Sequence, residues 1–244
     1  MMSPWTITVI TKLAYLVPSI LTPFVIRRSI VLSKENGYLR SNFPPLTDVI
    51  TSDASDENID DKSSISYTLD ALADKITDMP GLEFTPSFAQ FSGYLPVSST
   101  RKIHYWYIES LNDPSNDPVV FWTNGGPGCS GLLGLGTEMG PFIFNTGGSL
   151  SLNPLTWNNI ANIFYVEQPA GVGFSTFSDP DDAKVGDERA ALDNFELIKQ
   201  FFDRFPERKK NEFYIASESF GGHYIPHCKF EHFCDLIVFL GRSL

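Results

Sequence analysis

The sequence is poor in basic residues. Lysine and arginine together number 18 against 29 aspartates and glutamates, which gives the 244 residues a formal net charge of −11. A protein that binds nucleic acid needs a basic face to meet the phosphate backbone. We therefore exclude nucleic acid as a partner. Hydrophobic residues make up 42% of the chain, which is enough to build a sizeable core.

Cysteine and metal-ligand patterns are also scarce. The three cysteines are Cys129, Cys228 and Cys234, an odd number that leaves one thiol unpaired in an oxidising compartment. The sequence has no CxxC pair and no histidine and cysteine cluster with zinc-ligand spacing. It also contains no Asn-x-Ser/Thr site for N-glycosylation. We expect no metal and no cofactor.

The N-terminus lacks an uninterrupted apolar run. Residues 1–31 are rich in apolar side chains, but Lys12, Pro18 and Pro23 break the run. No basic residues precede it and no small-x-small cleavage site follows, so it is a poor signal peptide. A charge and two prolines also make it a mediocre membrane span. Two interpretations stay open: a signal or membrane anchor through residues 5–26, or an N-terminus that is incorrectly assigned or merely apolar.

The rest of the chain divides into three predicted parts. Residues 32–80 are polar and acidic and predict a linker that ends in a short helix through Leu69, Leu72, Ala73 and Ile76. Residues 81–228 carry the strand and helix patterns of a folded domain. Residues 229–244 form a tail with a different, apolar pattern.

The folded part predicts strands and a helix in a defined order. Residues 88–96 and 103–110 alternate apolar and polar side chains, as half-buried antiparallel strands do. Residues 119–123, 163–167 and 213–216 are short apolar runs, which suit buried parallel strands. Residues 186–204 predict a helix with Leu192, Phe195, Ile198 and Phe202 on its apolar face. This order is typical of an α/β-hydrolase fold.

The sequence SESFGGHYIP at residues 217–226 follows the last predicted strand. It predicts a nucleophile elbow, a sharp turn from strand to helix that exposes a serine hydroxyl, here that of Ser219. Small residues flank the nucleophile because strand and helix approach closely there. The first flanking residue is Ser217 in place of the usual glycine.

A second motif, WTNGGPGCSG, occupies residues 122–131 directly after a predicted strand. Its glycines leave backbone N–H groups uncovered, as an anion site requires. In an α/β hydrolase, a loop at this place in the order supplies the second donor of the oxyanion hole.

Several further motifs lie between and around these two, in a consistent order. They are FSGY at 91–94, EMGPF at 138–142, NP at 153–154 with Trp157, QPAGVGFS at 168–175 and FPE at 205–207. Together the motifs resemble the serine carboxypeptidase family of the carboxypeptidase Y type. The resemblance extends from about residue 73 to 227.

The resemblance implies a role for each matching residue. Ser219 would be the acylated nucleophile, and the N–H groups of Gly126 and Phe220 would form the oxyanion hole. Five residues would bind or border the C-terminal carboxylate of the substrate: Trp122, Asn124, Gly125, Glu138 and Glu218.

An exopeptidase must recognise a free carboxylate, yet the two sequence blocks that the resemblance assigns to substrate binding contain no arginine. A protonated carboxyl can donate a hydrogen bond to a carboxylate. Two close carboxyl groups resist losing both protons, which raises one pKa. We therefore expect peptidase activity to fall toward neutral pH, and Glu218→Gln to flatten that fall.

In this fold the acid and the base of the triad follow the nucleophile in the chain. Only 25 residues follow Ser219, and none of them matches the family's acid or base. We interpret His223 and His227 as structural. The sequence thus predicts the N-terminal part of an α/β-hydrolase domain, with the sheet truncated after the elbow. The nucleophile strand would then be an exposed sheet edge, and Cys129 would lack its usual partner.

The leading functional hypothesis is a serine-type carboxypeptidase that cleaves peptide or protein C-termini through an acyl-enzyme on Ser219. One alternative is a catalytically inactive fragment without the triad aspartate and histidine. Another is a carboxypeptidase-like acyltransferase. An unrelated lipase or esterase is disfavoured by Asn124 and Glu218. The family resemblance implies a protein of the secretory pathway, in a vacuole-like or lysosome-like compartment or outside the cell.

Overall fold

The computed structural model describes residues 66–82 and 84–230, and for residues 226–230 it describes the backbone alone. The predictions for the apolar segment 1–31, for most of the linker and for the tail beyond residue 230 lie outside the described residues. So do the side chains of His227 and Cys228, and the whole of Cys234.

The core of the fold is a mixed sheet. Its main strands are β1 (Gln90–Pro96), β2 (Arg101–Ile108), β3 (Val119–Thr123), β6 (Asn162–Val166) and β8 (Phe213–Ser217). They lie in the order β1-β2-β6-β3-β8, and the short β7 (Thr176–Phe177) pairs with the start of β2. A separate hairpin joins β4 (Phe142–Phe144) to β5 (Leu150–Leu152).

Strand pairing in the sheet changes from antiparallel to parallel at β6. β1, β2 and β6 pair antiparallel, whereas β3 lies between β6 and β8 and is parallel to both. These strands confirm the predicted order, and their bounds agree with the predicted ones to within about two residues.

Alternate side chains of the central strands feed two apolar layers. Phe121 and Phe164 point to the layer that contains α3 (Asp187–Arg204), while Trp122 and Tyr165 point to the layer around α2 (Leu132–Thr137). Because both faces are covered, β3 and β6 are buried along their whole length. The prediction that β2 is half-buried was wrong, since most of β2 is buried and its side chains enter the apolar layers on both faces of the sheet.

Helix α3 confirms the predicted helix and the burial of Ile198, but the other three residues predicted on the buried face are not fully buried. Leu192 is 50% exposed, and Phe195 and Phe202 are only half-buried. The buried face instead carries small, polar and apolar residues together: Ala190, Ala191, Asp193, Asn194, Leu197, Ile198 and Phe201. Alanines let the helix approach the sheet closely, and Asp193 pays for its burial by binding Arg101 at 2.8 Å.

The short helix predicted before the domain is α1 (Leu69–Ala73), which begins with Thr68 accepting a hydrogen bond from the amide of Ala71 at 3.1 Å. It ends before Ile76. Three 3₁₀ turns complete the described elements: Trp157–Asn159, Pro180–Ala183 and Pro206–Lys210. Within the described part of the chain, no helix combines the length and the apolarity that a membrane crossing requires.

Candidate active site

The turn between β8 and α4 (Gly221–Phe230) has the geometry of a nucleophile elbow. Ser219 has a φ of 51° and is the one non-glycine residue in the described chain with a positive φ. Its side chain is exposed at the end of a buried strand. A left-handed backbone at a residue with a Cβ costs on the order of 1–3 kcal/mol, and such strain concentrates at functional sites.

The small residues around Ser219 follow from the close approach of strand and helix. A Cβ at Gly221 would lie 1.6 Å from Oγ of Ser217, so no larger residue fits there without movement. The hydroxyl of Ser217 donates a hydrogen bond to the carbonyl of Thr123 at 2.5 Å. Serine is therefore accommodated where the motif usually has glycine, because its hydroxyl ties β8 to the end of β3.

The glycine-rich loop at residues 124–131 packs directly on this turn. A Cβ at Gly125 would lie 2.4 Å from the amide nitrogen of Phe220 and 2.7 Å from the carbonyl oxygen of Glu218. Gly126 follows with a φ of 109° and is exposed. The structure thus brings together the two backbone segments that carry the predicted oxyanion donors.

Asn124 links two other residues predicted to bind or border a carboxylate. Its Nδ2 donates to Oε1 of Glu218 at 2.9 Å, and its Oδ1 accepts from Nε1 of Trp122 at 2.9 Å. The same Oδ1 accepts from the amide of Gly134 in α2 at 3.2 Å. Trp122 and Asn124 are buried and Glu218 is half-buried, so this chain of hydrogen bonds runs from the core to the turn.

Glu138 lies at the C-terminal end of α2 and is exposed. Its amide donates to the carbonyl of Gly134 at 3.2 Å, the residue whose own amide binds Asn124. Glu138 is therefore one helical turn away from the side chain that holds Glu218. Glu138 thus comes from the end of α2, whereas Glu218 comes from the turn after β8.

Two residues that brace the loop were missed by sequence reasoning. The buried hydroxyl of Tyr224 accepts a hydrogen bond from the amide of Gly128 at 3.1 Å, and burial raises the pKa of this tyrosine. Nε2 of Gln168 donates to the hydroxyl of Thr123 at 3.0 Å. Both lie inside quoted motifs, but the contacts join residues 45 and 96 positions apart, which no local pattern reveals.

The described histidines lie in other settings. The exposed ring of His223 stacks on Phe220, with 4.6 Å between centroids. His104 is buried, and its two ring nitrogens lie 2.9 Å from Oγ of Ser92 and from Oε2 of Glu167. Across residues 66–82 and 84–225, no hydrogen bond joins the Ser219 hydroxyl to an imidazole. His232 and Asp235 lie outside the described residues.

Two further expectations concern the surroundings of the elbow. Among the described strands, β8 pairs with β3 and has no neighbour on its other side, as an edge strand would. Cys129 is a free, half-buried thiol. The side chains of the other two cysteines lie outside the described part, so its pairing stays a prediction.

A comparison with protein families identifies the domain. A family model described as serine carboxypeptidase matches residues 80–231, which includes the strands, the glycine-rich loop and the elbow. The matched range is more than half of the chain.

Curated relatives and a solved structure agree with this match. The lysosomal protective protein of Mus musculus is 52% identical over 154 residues, 63% of this chain and 32% of the relative. A serine carboxypeptidase of Caenorhabditis elegans is 46% identical over 166 residues, 67% of this chain and 35% of the relative. The chain therefore spans about a third of the length of these relatives.

Among solved structures, a prohormone-processing carboxypeptidase from Saccharomyces cerevisiae superposes with a TM-score of 0.58 at 26% identity. The superposition covers 70% of this chain and 44% of that chain. The sheet order and the elbow described above are those of an α/β-hydrolase fold.

Proposed function

The chain belongs to the serine carboxypeptidase family, and on that premise we propose that Ser219 is the nucleophile of a serine-type carboxypeptidase. One observation carries the proposal: an exposed serine held at a φ of 51° beside a glycine loop that touches the next amide. In an ordinary turn, glycine would adopt this positive φ without the backbone strain that serine has there.

In the proposed reaction, Oγ of Ser219 attacks the carbonyl carbon of the last peptide bond. The amides of Gly126 and Phe220 donate to the oxyanion of the tetrahedral intermediate, each worth about 3 kcal/mol in related hydrolases. The intermediate collapses, the C–N bond breaks, and the C-terminal amino acid leaves with the proton taken from Ser219. Water then hydrolyses the acyl-enzyme. Across residues 66–82 and 84–225 no imidazole is hydrogen-bonded to the Ser219 hydroxyl, so the proposal assigns the base to no described residue.

Recognition of the substrate's free carboxylate is proposed for the residues that surround Asn124. Glu218 and Glu138, when protonated, would donate to the substrate, while Asn124 and the backbone of Gly125 complete the site beside Trp122. The bond from Asn124 to Glu218 supports this because it fixes one carboxyl oxygen and leaves the other free to face a ligand. In an active form that carries this domain, Glu218→Gln should flatten the loss of activity toward neutral pH. An unchanged pH profile would remove Glu218 from the site.

The proposed substrates are peptide and protein C-termini, and the proposed location is the secretory pathway, in a lysosome-like or vacuole-like compartment. The name of the mouse relative supports the location, and the need for protonated carboxyl groups fits an acidic compartment. The alternative is a chain that folds without turnover. The observation that favours it is the Ser219 hydroxyl, which no described imidazole contacts.

Labelling with a fluorophosphonate separates the two readings. The reagent should modify the 244-residue chain once, at Ser219, as read by intact mass and peptide mapping. Ser219→Ala should abolish the adduct, whereas Ser178→Ala, which removes an exposed hydroxyl outside the elbow, should leave it unchanged. A wild-type chain that stays unlabelled would reject the proposed nucleophile in this chain and favour the alternative.

A further inference from the structure

A buried carboxylate lies behind the glycine-rich loop. Glu167 directly follows β6 and is 2% exposed. Its Oε2 lies 2.9 Å from Nδ1 of His104 and accepts from the amide of Phe174 at 2.9 Å, and its Oε1 accepts from the hydroxyl of Ser130. One side chain thus binds three donors from three separate parts of the chain.

These bonds keep Glu167 ionised although it is buried. Burial alone would raise its pKa, but the hydrogen bonds from His104, Ser130 and the Phe174 amide outweigh burial and hold the pKa below the ordinary value. Hydrogen bonds to a charged acceptor are about twice as strong as neutral ones. The ionised carboxylate therefore holds its three hydrogen-bond partners more strongly than a neutral acceptor would.

Two of its three partners belong to loops. Ser130 is the last side chain of the glycine-rich loop, and its Oγ also accepts from the amide of Leu132 at 3.1 Å, at the start of α2. Phe174 belongs to the segment at residues 171–175. A Cβ at Gly173 in that segment would lie 1.8 Å from Oε1 of Glu167, so the segment wraps tightly around the carboxylate.

The third partner is rigid. His104 lies in β2, and its other ring nitrogen is 2.9 Å from Oγ of Ser92 in β1. The rings of Tyr94 and Phe174 stand edge-on to the imidazole, with centroids 5.4 and 5.2 Å away. The imidazole is thus held in place on the sheet. Glu167 binds both this imidazole and the two loops, and so connects the loops to the sheet.

We infer that Glu167 is a positioning residue for the proposed reaction, because it ties the loop that carries Gly126 to the sheet through Ser130. The inference rests on the proposed function. Ser130 lies four residues after Gly126. The residue before Gly126, Gly125, packs against the Phe220 amide, and the Cys129 amide donates to the Gly125 carbonyl at 3.1 Å. Loosening Ser130 would let the Gly126 amide move away from the elbow, and roughly 1 Å of misplacement can cost on the order of a hundredfold in rate.

Hydrogen exchange in the 244-residue chain tests the anchoring without any need for turnover. In Glu167→Gln, which keeps the shape and loses the charge, exchange should rise about tenfold in peptides covering residues 124–131 and 171–175. Ser130→Ala should affect only the first of these segments. Glu188→Gln, which removes an exposed charge in the first turn of α3, should change neither. Unchanged exchange in Glu167→Gln, or a uniform rise across the chain, overturns the inference.

The rate of fluorophosphonate labelling tests the link to chemistry. At a temperature well below the melting temperatures of all the chains compared, Glu167→Gln should slow labelling of Ser219 about tenfold, and Glu167→Ala should slow it further. Equal labelling rates for wild type and Glu167→Gln would show that Glu167 holds the loop without positioning the reacting groups, and would overturn the inference. A wild-type chain that does not react rejects the proposed function instead, while the exchange result still decides whether Glu167 holds the loop.

Discussion

Two serines in this molecule occupy opposite settings. Ser92, His104 and Glu167 are connected as serine, histidine and acid are in a catalytic triad. The Ser92 hydroxyl lies 2.9 Å from the His104 imidazole, which lies 2.9 Å from the Glu167 carboxylate. Ser92 nevertheless lies in the middle of β1, opposite Trp106, with its hydroxyl also 3.1 Å from the Tyr105 carbonyl. Ser219 has no such partners in the described chain, yet it stands exposed on a strained turn beside backbone amides. The contrast shows that the assignment of Ser219 as the proposed nucleophile rests on backbone geometry and exposure, not on a hydrogen-bonded histidine.

The largest expected effect is the difference in fluorophosphonate labelling between Ser219→Ala and Ser92→Ala. Ser219→Ala should eliminate fluorophosphonate labelling, because it removes the hydroxyl that is proposed to react. Ser92→Ala should keep labelling of Ser219 within a few-fold of wild type, because the imidazole stays bound to Glu167. Intact mass spectrometry over a time course measures both. Selective loss of labelling in Ser92→Ala would reverse the assignment of the two sites.

The next effect concerns the close approach at the elbow. Gly221→Ala places a methyl group against Ser217 and should cost about 3 kcal/mol in the free energy of unfolding, by overpacking. Gly186→Ala is the matched control, since a Cβ there meets nothing within 4 Å. We expect it to cost less than about 1 kcal/mol. Urea unfolding of both variants measures the difference, and equal costs would show that the turn can relax.

Two glutamates whose carboxyl oxygens are buried should respond to pH in opposite directions. Glu167 is fully bonded and its pKa is lowered, so its contribution to stability is present above the ordinary pKa of 4.5 and is lost as pH falls through the lower folded value. Glu167→Gln should therefore destabilise the fold by about 2 kcal/mol at pH 7, the worth of hydrogen bonds to a charge, and by less below pH 4. Melting temperatures from pH 3 to 8 measure this, and a pH-independent difference would contradict it.

Glu207 should behave with the opposite sign. Both of its carboxyl oxygens are buried and bind no other described side chain. Burial raises its pKa although its own backbone amide and the neighbouring Arg208 lower it, and the nearby Glu109 raises it further. The fold thus favours the protonated form, and stability is lost as pH rises from 4.5 through the raised value. Glu207→Gln, which imitates the protonated carboxyl, should match wild type in acid and exceed its melting temperature at pH 7. A lower melting temperature at pH 7 would show that the charge is needed.

The smallest expected effect is at the brace from α4. Tyr224→Phe removes the acceptor for the Gly128 amide and should cost about 1 kcal/mol, the net worth of one neutral hydrogen bond. Labelling of Ser219 should slow by no more than a few-fold, because Glu167 still holds the other end of the loop. A loss as large as that of Glu167→Gln would make Tyr224 the main anchor.

Features encoded within a few residues were predictable from sequence. The parallel strands β3 and β8 are continuous apolar runs, and the elbow and the glycine-rich loop have local motifs that fix their backbone. The buried face of α3 was not predictable from apolar residues alone, because Asn194 and Asp193 lie on it. Glu167 escaped notice because its partners lie 63 and 37 positions away, where only the folded sheet brings them together.

The backbone of Ser219 has a consequence for how this protein can change. A left-handed conformation suits glycine, so Ser219→Gly should relax the turn and leave a chain that is at least as stable but has no hydroxyl to offer. Selection for stability alone would therefore remove the serine. At this residue, stability and the proposed reactivity therefore make opposite demands. Variants selected for thermal stability should be checked first at position 219.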